Sequence, residues 1–262
     1  MSLNKHLRGD LKRRLGNNEL TLGSWLTINH QSVVEIMATA GFEWLCIDIE
    51  HSAISISDVL NLIGHIQGNG MQALVRVNEN NPVIIKQVMD AGADGVIVPM
   101  VNSIEDAKKA VASVRYPSQG FRGVGLSRAQ NYGIGFTEYQ EWLKNDAVII
   151  AQIEHINAVN ELPGILDVSG IDGIIVGPYD LSASMGFPGD FDRADVVEAL
   201  KRVDTVCLEK GRSLGFHVIS SDHTKTLEKI NVGYTFLAVS LDFFFLGDSA
   251  RREMNELRKA TK

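Results

Sequence analysis

The fold is decided by a stretch that reads Ala40-Gly41-Phe42-Glu43-Trp44-Leu45-Cys46-Ile47-Asp48. In it a helix-forming segment ends at a glycine, a short gap follows, and an almost wholly apolar strand comes next. Glycine just after a helix takes up the left-handed conformation that turns the chain into a following strand. The pattern recurs three times along the chain: Gly92 before Gly95–Val98, Gly170 before Gly173–Val176, and Gly233 before Phe236–Val239.

Four further apolar runs complete a set of strands: Thr21–Leu26, Gln72–Val77, Val148–Ile153 and Leu214–Ile219. Amphipathic segments alternate with the strands, the clearest being Ile56–Gln67, Val83–Ala91, Ile104–Val114 and Val196–Lys210. Strands that are buried on both faces of a parallel sheet are continuously apolar. The alternation therefore predicts an α/β fold, a closed (β/α)8 TIM barrel. No linker interrupts it, so we expect one domain over residues 1–262 with helical extensions at both ends.

Two glycine-containing segments raise other readings. Gly123-Val-Gly125 and Gly133-Ile-Gly135 both fail the full dinucleotide-binding fingerprint, which argues against an open Rossmann-type sheet. Both lie in the irregular segment 115–143, which we expect to form a long loop over the barrel mouth.

Composition excludes several classes of protein. A formal net charge of −7 argues against a nucleic-acid partner, which selects a basic surface. No apolar stretch is long enough to span a membrane, and no signal peptide is visible. Cys46 and Cys207 are predicted to be buried free thiols in a reducing compartment. We therefore expect a cytoplasmic enzyme.

Polar residues collect where the predicted strands end. The second strand runs into Asp48, Glu50 and His51, and the third ends at Arg76. The fifth carries Gln152 and reaches Glu154, and the sixth leads through Tyr179 to Asp180. Barrel enzymes place their catalytic groups at the carboxyl ends of the strands. These residues therefore predict the active site.

Glu154 and Asp180 are two carboxylates from neighbouring strands, with no cysteine or histidine pair nearby. Oxygen ligands of this kind suit Mg²⁺ or Mn²⁺, which keep waters and leave positions open for substrate. The residues alone also allow an acid/base pair of the glycosidase type, or a helix-capping role. Asp180 could both cap a short helix and bind metal, and the start of that helix would offer N–H groups to a substrate carboxylate.

The remaining candidates concern protons and developing charge. His51, three residues after Asp48, suggests a proton-transfer dyad in which the carboxylate fixes the imidazole. Arg76 is placed to stabilise an enolate or carbonyl oxygen. Every lysine lies outside the predicted strands, which argues against Schiff-base chemistry.

The chain resembles the HpcH/HpaI class II pyruvate aldolases over residues 20 to 245. The motifs that carry the resemblance are the segments 41–51, 75–77, 82–92, 98–100, 115–117, 122–125, 152–154, 177–182 and 184–186, in this order and spacing. The resemblance implies cleavage of a 4-hydroxy-2-oxoacid to pyruvate and an aldehyde through a metal-bound pyruvate enolate. It also implies a role in the catabolism of aromatic compounds or sugar acids.

The family's functional residues map onto this sequence by position. Glu154 and Asp180 correspond to ligands of Mg²⁺ or Mn²⁺, with Co²⁺ a further option, and Gln152 to a polar neighbour of the ketoacid. Arg76 corresponds to the residue that binds the keto oxygen, and His51 with Asp48 to the proton-transfer pair. The backbone at Tyr179 and Asp180 would receive the pyruvate carboxylate. The resemblance further implies that Asp90 reaches the site of an adjacent subunit in a trimer or hexamer with exchanged helices.

Three positions depart from the family pattern: Ile49, His217 and Ser240. They leave the aldehyde half of the substrate open. Two alternatives stay open as well. One is a CoA-ester-cleaving or decarboxylating relative, and the other a catalytically inactive barrel that acts as a scaffold.

Overall fold

The computed structural model describes residues 10–261. Its strands are β1 Thr21–Leu26, β2 Trp44–Asp48, β3 Gln72–Arg76, β4 Gly95–Val98, β5 Val148–Ile153, β6 Gly173–Val176, β7 Ser213–Val218 and β8 Phe236–Leu241. They are parallel and close into a barrel in chain order, with β8 paired to β1. The predicted TIM barrel is confirmed, with some strand ends shifted by one or two residues. Of the domain predicted over residues 1–262, residues 1–9 and 262 lie outside the described part.

The helices follow the strands around the barrel. They are α1 Asp10–Gly16, α2 Gln31–Thr39, α3 Ile56–Gly68, α4 Pro82–Asp90, α5 Ile104–Val114, α6 Phe136–Asn145, α7 Ile156–Asp167, α8 Pro178–Ser184, α9 Ala194–Glu209, α10 His223–Val232 and α11 Asp242–Ala260. A 3₁₀ helix spans Arg128–Gly133. Among the described residues, no helix is both long enough and apolar enough to cross a membrane.

The four glycines that precede strands in the sequence pattern have the predicted left-handed backbone conformation. Gly41, Gly92, Gly170 and Gly233 lie at φ of 86°, 98°, 105° and 109°. Side chains with a Cβ rarely adopt this left-handed region, so each position admits a tight turn from helix to strand. Both cysteine thiols are free and buried, as predicted.

The interior of the barrel is filled by side chains. Alternate residues of each strand point inward, and the inward set of β2 is Trp44, Cys46 and Asp48. The ring of Trp44 stacks on Phe236 with 4.4 Å between centroids. A Cβ at Gly23 would lie 2.0 Å from the Trp44 ring, so only glycine allows this packing. Leu11 and Leu15 of α1 join this inner cluster, so the barrel is packed near the amino ends of the strands.

Segment 115–143 corrects one expectation. It contains the 3₁₀ helix and most of α6, and it does not cover the barrel mouth. Its hydrogen bonds reach the last turns of α3 and α4, through Arg128 to Gln67 and Ser127 to the Asp90 carbonyl. Helices run antiparallel to the strands, so these last turns lie at the amino ends of the strands. The amphipathic spacing of Phe136–Asn145 is typical of a helix, although the glycines earlier in the segment favour a loop.

Candidate active site

The candidate site is built on the inward positions at the carboxyl ends of the strands. Asp48 is the third inward residue of β2, and it lies in register with Arg76, the last residue of β3. Gln152 is inward on β5, and Glu154 is two residues further on. The period-two alternation of a strand thus turns all four side chains toward the barrel axis.

Asp48 and Arg76 form a bidentate pair. Arg76 donates from Nε to Oδ1 at 3.0 Å and from Nη2 to Oδ2 at 2.6 Å. Its guanidinium also lies 4.3 Å from the centre of the Trp25 ring. Burial by itself lowers the pKa of Arg76, but Asp48 and Glu50 outweigh burial and the pKa is raised. Arg76 is therefore a fixed cation within the site.

The expected Asp48–His51 dyad is not formed, which is a correction. Asp48 Oδ1 accepts from the backbone N–H groups of Glu50 and His51, while Arg76 occupies the rest of the carboxylate. The imidazole of His51 is 67% exposed, and its Nε2 lies 3.8 Å from Glu50 Oε2. The chain bends directly after β2, which carries the His51 side chain outward. A catalytic role for His51 stays a prediction, with Glu50 as its neighbour.

Glu50 belongs to the site, as its place among the polar residues after the second strand predicted, although the sequence predicted no individual role for it. Its Oε2 lies 3.2 Å from Arg76 Nη1, and burial raises the pKa of Glu50 to about 7. Arg76 lowers this pKa, and Glu154, Asp48 and Asp180 raise it further. Glu50 continues the alternation of Trp44, Cys46 and Asp48 beyond the end of the strand, and the alternation therefore indicates that its side chain points inward.

Glu154 is buried and held on both oxygens. Oε1 accepts from the backbone N–H of Met100 at 2.7 Å, and Oε2 accepts from Gln152 Nε2 at 2.5 Å. Met100 follows β4 and has a φ of 52°, in the left-handed region. The pKa of Glu154 is raised, chiefly by burial. The hydrogen bonds from Gln152 and Met100 lower this pKa, and the charge of Asp180 raises it. Gln152 thus positions the carboxylate.

Asp180 approaches from the neighbouring strand. It lies in the first turn of α8, directly after β6, while the Tyr179 side chain is exposed. Between strand and helix, Gly177 packs closely against Glu154. A Cβ on Gly177 would lie 3.0 Å from Glu154 Cβ and 3.1 Å from Oε2. The absence of a side chain here leaves room beside the Glu154 carboxylate.

Charge and donor type fit a hard divalent cation. Glu154, Asp48 and Asp180 raise the pKa of Glu50, and Asp180 raises that of Glu154, whereas the Arg76 cation lowers both. Within residues 10–261 no group of three or more His, Cys, Asp or Glu side chains is arranged to hold a metal. Glu154 and Asp180 could supply two oxygen ligands, with water and substrate as the others. This donor set is typical of Mg²⁺ and Mn²⁺ sites.

Comparison with known proteins identifies the family. The sequence pattern described as "HpcH/HpaI aldolase/citrate lyase" matches residues 21–247. The chain belongs to this family.

Individual relatives agree over nearly the whole chain. It is 34% identical to the 2-keto-3-deoxy-L-rhamnonate aldolase of Escherichia coli (strain K12), covering 94% of this chain and 92% of that protein. It is 33% identical to the hydroxypyruvate/pyruvate aldolase of Roseovarius nubinhibens, covering 94% and 96%. A crystal structure of an HpcH/HpaI aldolase/citrate lyase family protein from Burkholderia cenocepacia superposes with a TM-score of 0.89 at 32% identity, covering 95% and 99%.

Asp90, predicted to reach an adjacent subunit of the HpcH/HpaI enzyme, lies far from the rest of the candidate site within one chain. It is the last residue of α4, at the amino ends of the strands, and it forms an ion pair with Arg122. The Arg122 side chain is completely buried and also donates to Tyr139 Oη. The part that Asp90 plays in catalysis stays a prediction.

His217 is the departure from the HpcH/HpaI pattern that lies inside the barrel. On β7 the side chain of Phe216 packs outward against Tyr234, with 5.4 Å between ring centroids. The next residue, His217, therefore points inward, and its ring lies 5.3 Å from that of Trp25. The sequence marked His217 only as a departure from the family pattern. Its inward position was recognisable from the alternation of β7.

Proposed function

We propose that this chain is a metal-dependent aldolase that reversibly cleaves a 4-hydroxy-2-oxoacid to pyruvate and an aldehyde. The observation that carries the proposal is that two unlike groups lie together at the carboxyl ends of the strands. One is the oxygen-ligand pair Glu154 and Asp180, and the other is the buried Arg76 cation. Relatives named as aldolases of oxo- and hydroxyacids support the reaction class.

The chemistry divides between the cation and the side chains. When bound by Glu154 and Asp180, Mg²⁺ or Mn²⁺ supplies Lewis-acid polarisation of the keto group. Co²⁺ would suit the same oxygen ligands. Arg76 faces this position with a fixed positive charge, which stabilises the oxygen that becomes negative in the pyruvate enolate.

Proton transfer is the role of Glu50 and His51, which lie next to Arg76 and to each other. Glu50, with its pKa raised to about 7, exchanges a proton near neutrality, and His51 Nε2 lies 3.8 Å from it, toward solvent. We propose that this pair moves the proton of the aldol hydroxyl, while Asp48 holds Arg76 in place. The Gln152 amide would neighbour the bound ketoacid, and the backbone at Tyr179 and Asp180 would receive its carboxylate.

The decisive experiment measures pyruvate release from 4-hydroxy-2-oxoacids with Mn²⁺ and after treatment with EDTA. Glu154→Gln keeps the shape of the side chain and removes its charge, and Asp180→Asn does the same. Both variants should lose metal-dependent cleavage and bind Mn²⁺ more weakly. Glu161→Gln is the matched control, because Glu161 is an exposed carboxylate on α7. Full activity after EDTA treatment would refute the proposal.

We further propose that the enzyme is a cytoplasmic homo-oligomer, a trimer or a hexamer. On α11, Phe243, Leu246, Met254 and Leu257 are exposed apolar side chains. Phe243 and Met254, like Leu246 and Leu257, are separated by three helical turns, so the four share one face. A second copy of the chain is the partner that we propose for this face. The free thiols of Cys46 and Cys207 support a reducing compartment.

A further inference from the structure

His217 lies beside the corner where Glu154 meets Gly177. The last registered pair between β6 and β7 is Val176 with Phe216, so Gly177 and His217 are the next residues along these strands. Gly177 in turn packs against Glu154. A substrate held at Glu154 and Asp180 would therefore have His217 as its neighbour on the next strand.

The ring of His217 packs against the ring of Trp25. Arg76 lies over the same indole ring. Arg76 lowers the pKa of His217 and Asp48 raises it, in keeping with the contact of both Arg76 and His217 with the Trp25 ring. The inward side chains below His217 pack together, which leaves the carboxyl end of the barrel as the side open to its ring.

The tautomer of His217 follows from its partner. The imidazole Nε2 lies 3.2 Å from the carbonyl oxygen of Ser240, which can only accept a hydrogen bond. Nε2 therefore carries the proton. Burial lowers the pKa of His217 to about 4, so the ring is neutral near pH 7. In a neutral ring protonated at Nε2, Nδ1 is a hydrogen-bond acceptor.

Nδ1 is available to a ligand. Among the described residues Nδ1 has no hydrogen-bond partner, and the atom is not fully buried. An accessible acceptor in a site rich in carboxylates selects for a hydrogen-bond donor and repels a further anion. Arg76, the cation nearby, is already paired with Asp48 and Glu50.

We propose that His217 contacts the aldehyde half of the substrate and accepts, through Nδ1, a hydrogen bond from a hydroxyl group beyond the cleaved bond. The preferred aldehyde is then a neutral hydroxyaldehyde, ahead of an alkyl aldehyde or one with a terminal carboxylate. This inference rests on the proposed aldolase function and names the substrate class that the same site takes.

The test compares three 4-hydroxy-2-oxoacids whose tails carry a hydroxyl group, an alkyl chain or a carboxylate. For the unsubstituted enzyme, kcat/KM should be highest with the hydroxylated tail. His217→Leu should lower kcat/KM for that substrate about tenfold, the worth of one hydrogen bond, and leave the alkyl substrate nearly unchanged. His217→Asn should retain much of the preference, because its amide oxygen can take the place of Nδ1.

Two controls separate the possible failures. Phe216→Leu alters the neighbouring outward side chain and should leave the preference unchanged. Deuterium exchange of the pyruvate methyl group needs no aldehyde, so all of these variants should retain it. If His217→Leu exchanges normally but keeps the original preference, or loses activity equally on all three tails, the role of His217 is refuted. If the unsubstituted enzyme shows no exchange, the aldolase function itself is refuted, and this inference with it.

Discussion

At the residue scale, Arg76 combines stability with chemistry. Arg76→Ala leaves Asp48 buried without its charged partner, so we expect the protein to lose about 3 kcal/mol of unfolding free energy. It should also slow pyruvate methyl exchange by roughly a hundredfold or more, because a charge that stabilises the enolate is gone. Proton NMR in D₂O measures the exchange, and urea denaturation measures the stability.

Arg76→Lys is the informative companion, since it keeps the charge and loses the bidentate geometry. We expect an intermediate exchange rate. Exchange at the unsubstituted rate in Arg76→Ala would contradict the enolate assignment.

The raised pKa of the single residue Glu50 predicts that the stability of the protein depends on pH. Its pKa is raised from 4.5 to about 7 on folding, so the folded protein binds this proton more tightly than the unfolded chain. The stabilising contribution is complete below pH 4.5 and is lost as the pH rises toward about 7. Glu50→Gln removes this dependence. In metal-free protein, thermal denaturation should show a larger gain in Tm for Glu50→Gln at pH 8 than at pH 5, and an equal gain at both would contradict the assignment.

At the element scale, the junction of β6 and α8 controls the room beside Glu154. Gly177→Ala places a methyl group 3.0 Å from Glu154 Cβ, so the carboxylate must shift. We expect Mn²⁺ affinity to fall about tenfold, as when a group that supports a ligand is displaced. Calorimetric titration of Mn²⁺ measures the change. Gly68→Ala at the end of α3 is the control, because its added Cβ meets no atom within 4 Å.

At the scale of the whole molecule, α11 should determine assembly. Leu246→Glu places a charge in the exposed apolar face, and we expect light scattering after size-exclusion chromatography to show a smaller species. Asn255→Glu is the matched control, since Asn255 follows Leu246 by about two and a half turns and therefore lies on the opposite side of the same helix. A monomeric unsubstituted protein would contradict the proposed assembly, as would an unchanged mass for Leu246→Glu.

The sequence by itself determined the barrel and most of its contents. Gly41 and its three counterparts mark turns through a local backbone requirement, and apolar runs of strand length mark burial. Both signals act within a few residues and can therefore be read along the chain. The same local alternation shows which side chains point inward, and it reaches Glu50 and His217 as well as Asp48.

Only the tertiary structure decided how these groups are paired. Arg76, and not His51, holds Asp48, because barrel closure brings β2 and β3 into register while the bend after β2 carries the His51 ring away. The Met100 N–H, which follows β4, likewise donates to Glu154 at the end of the neighbouring strand β5. Such contacts join residues that are distant along the chain, and their geometry depends on strand register and loop conformation together, which no local pattern specifies.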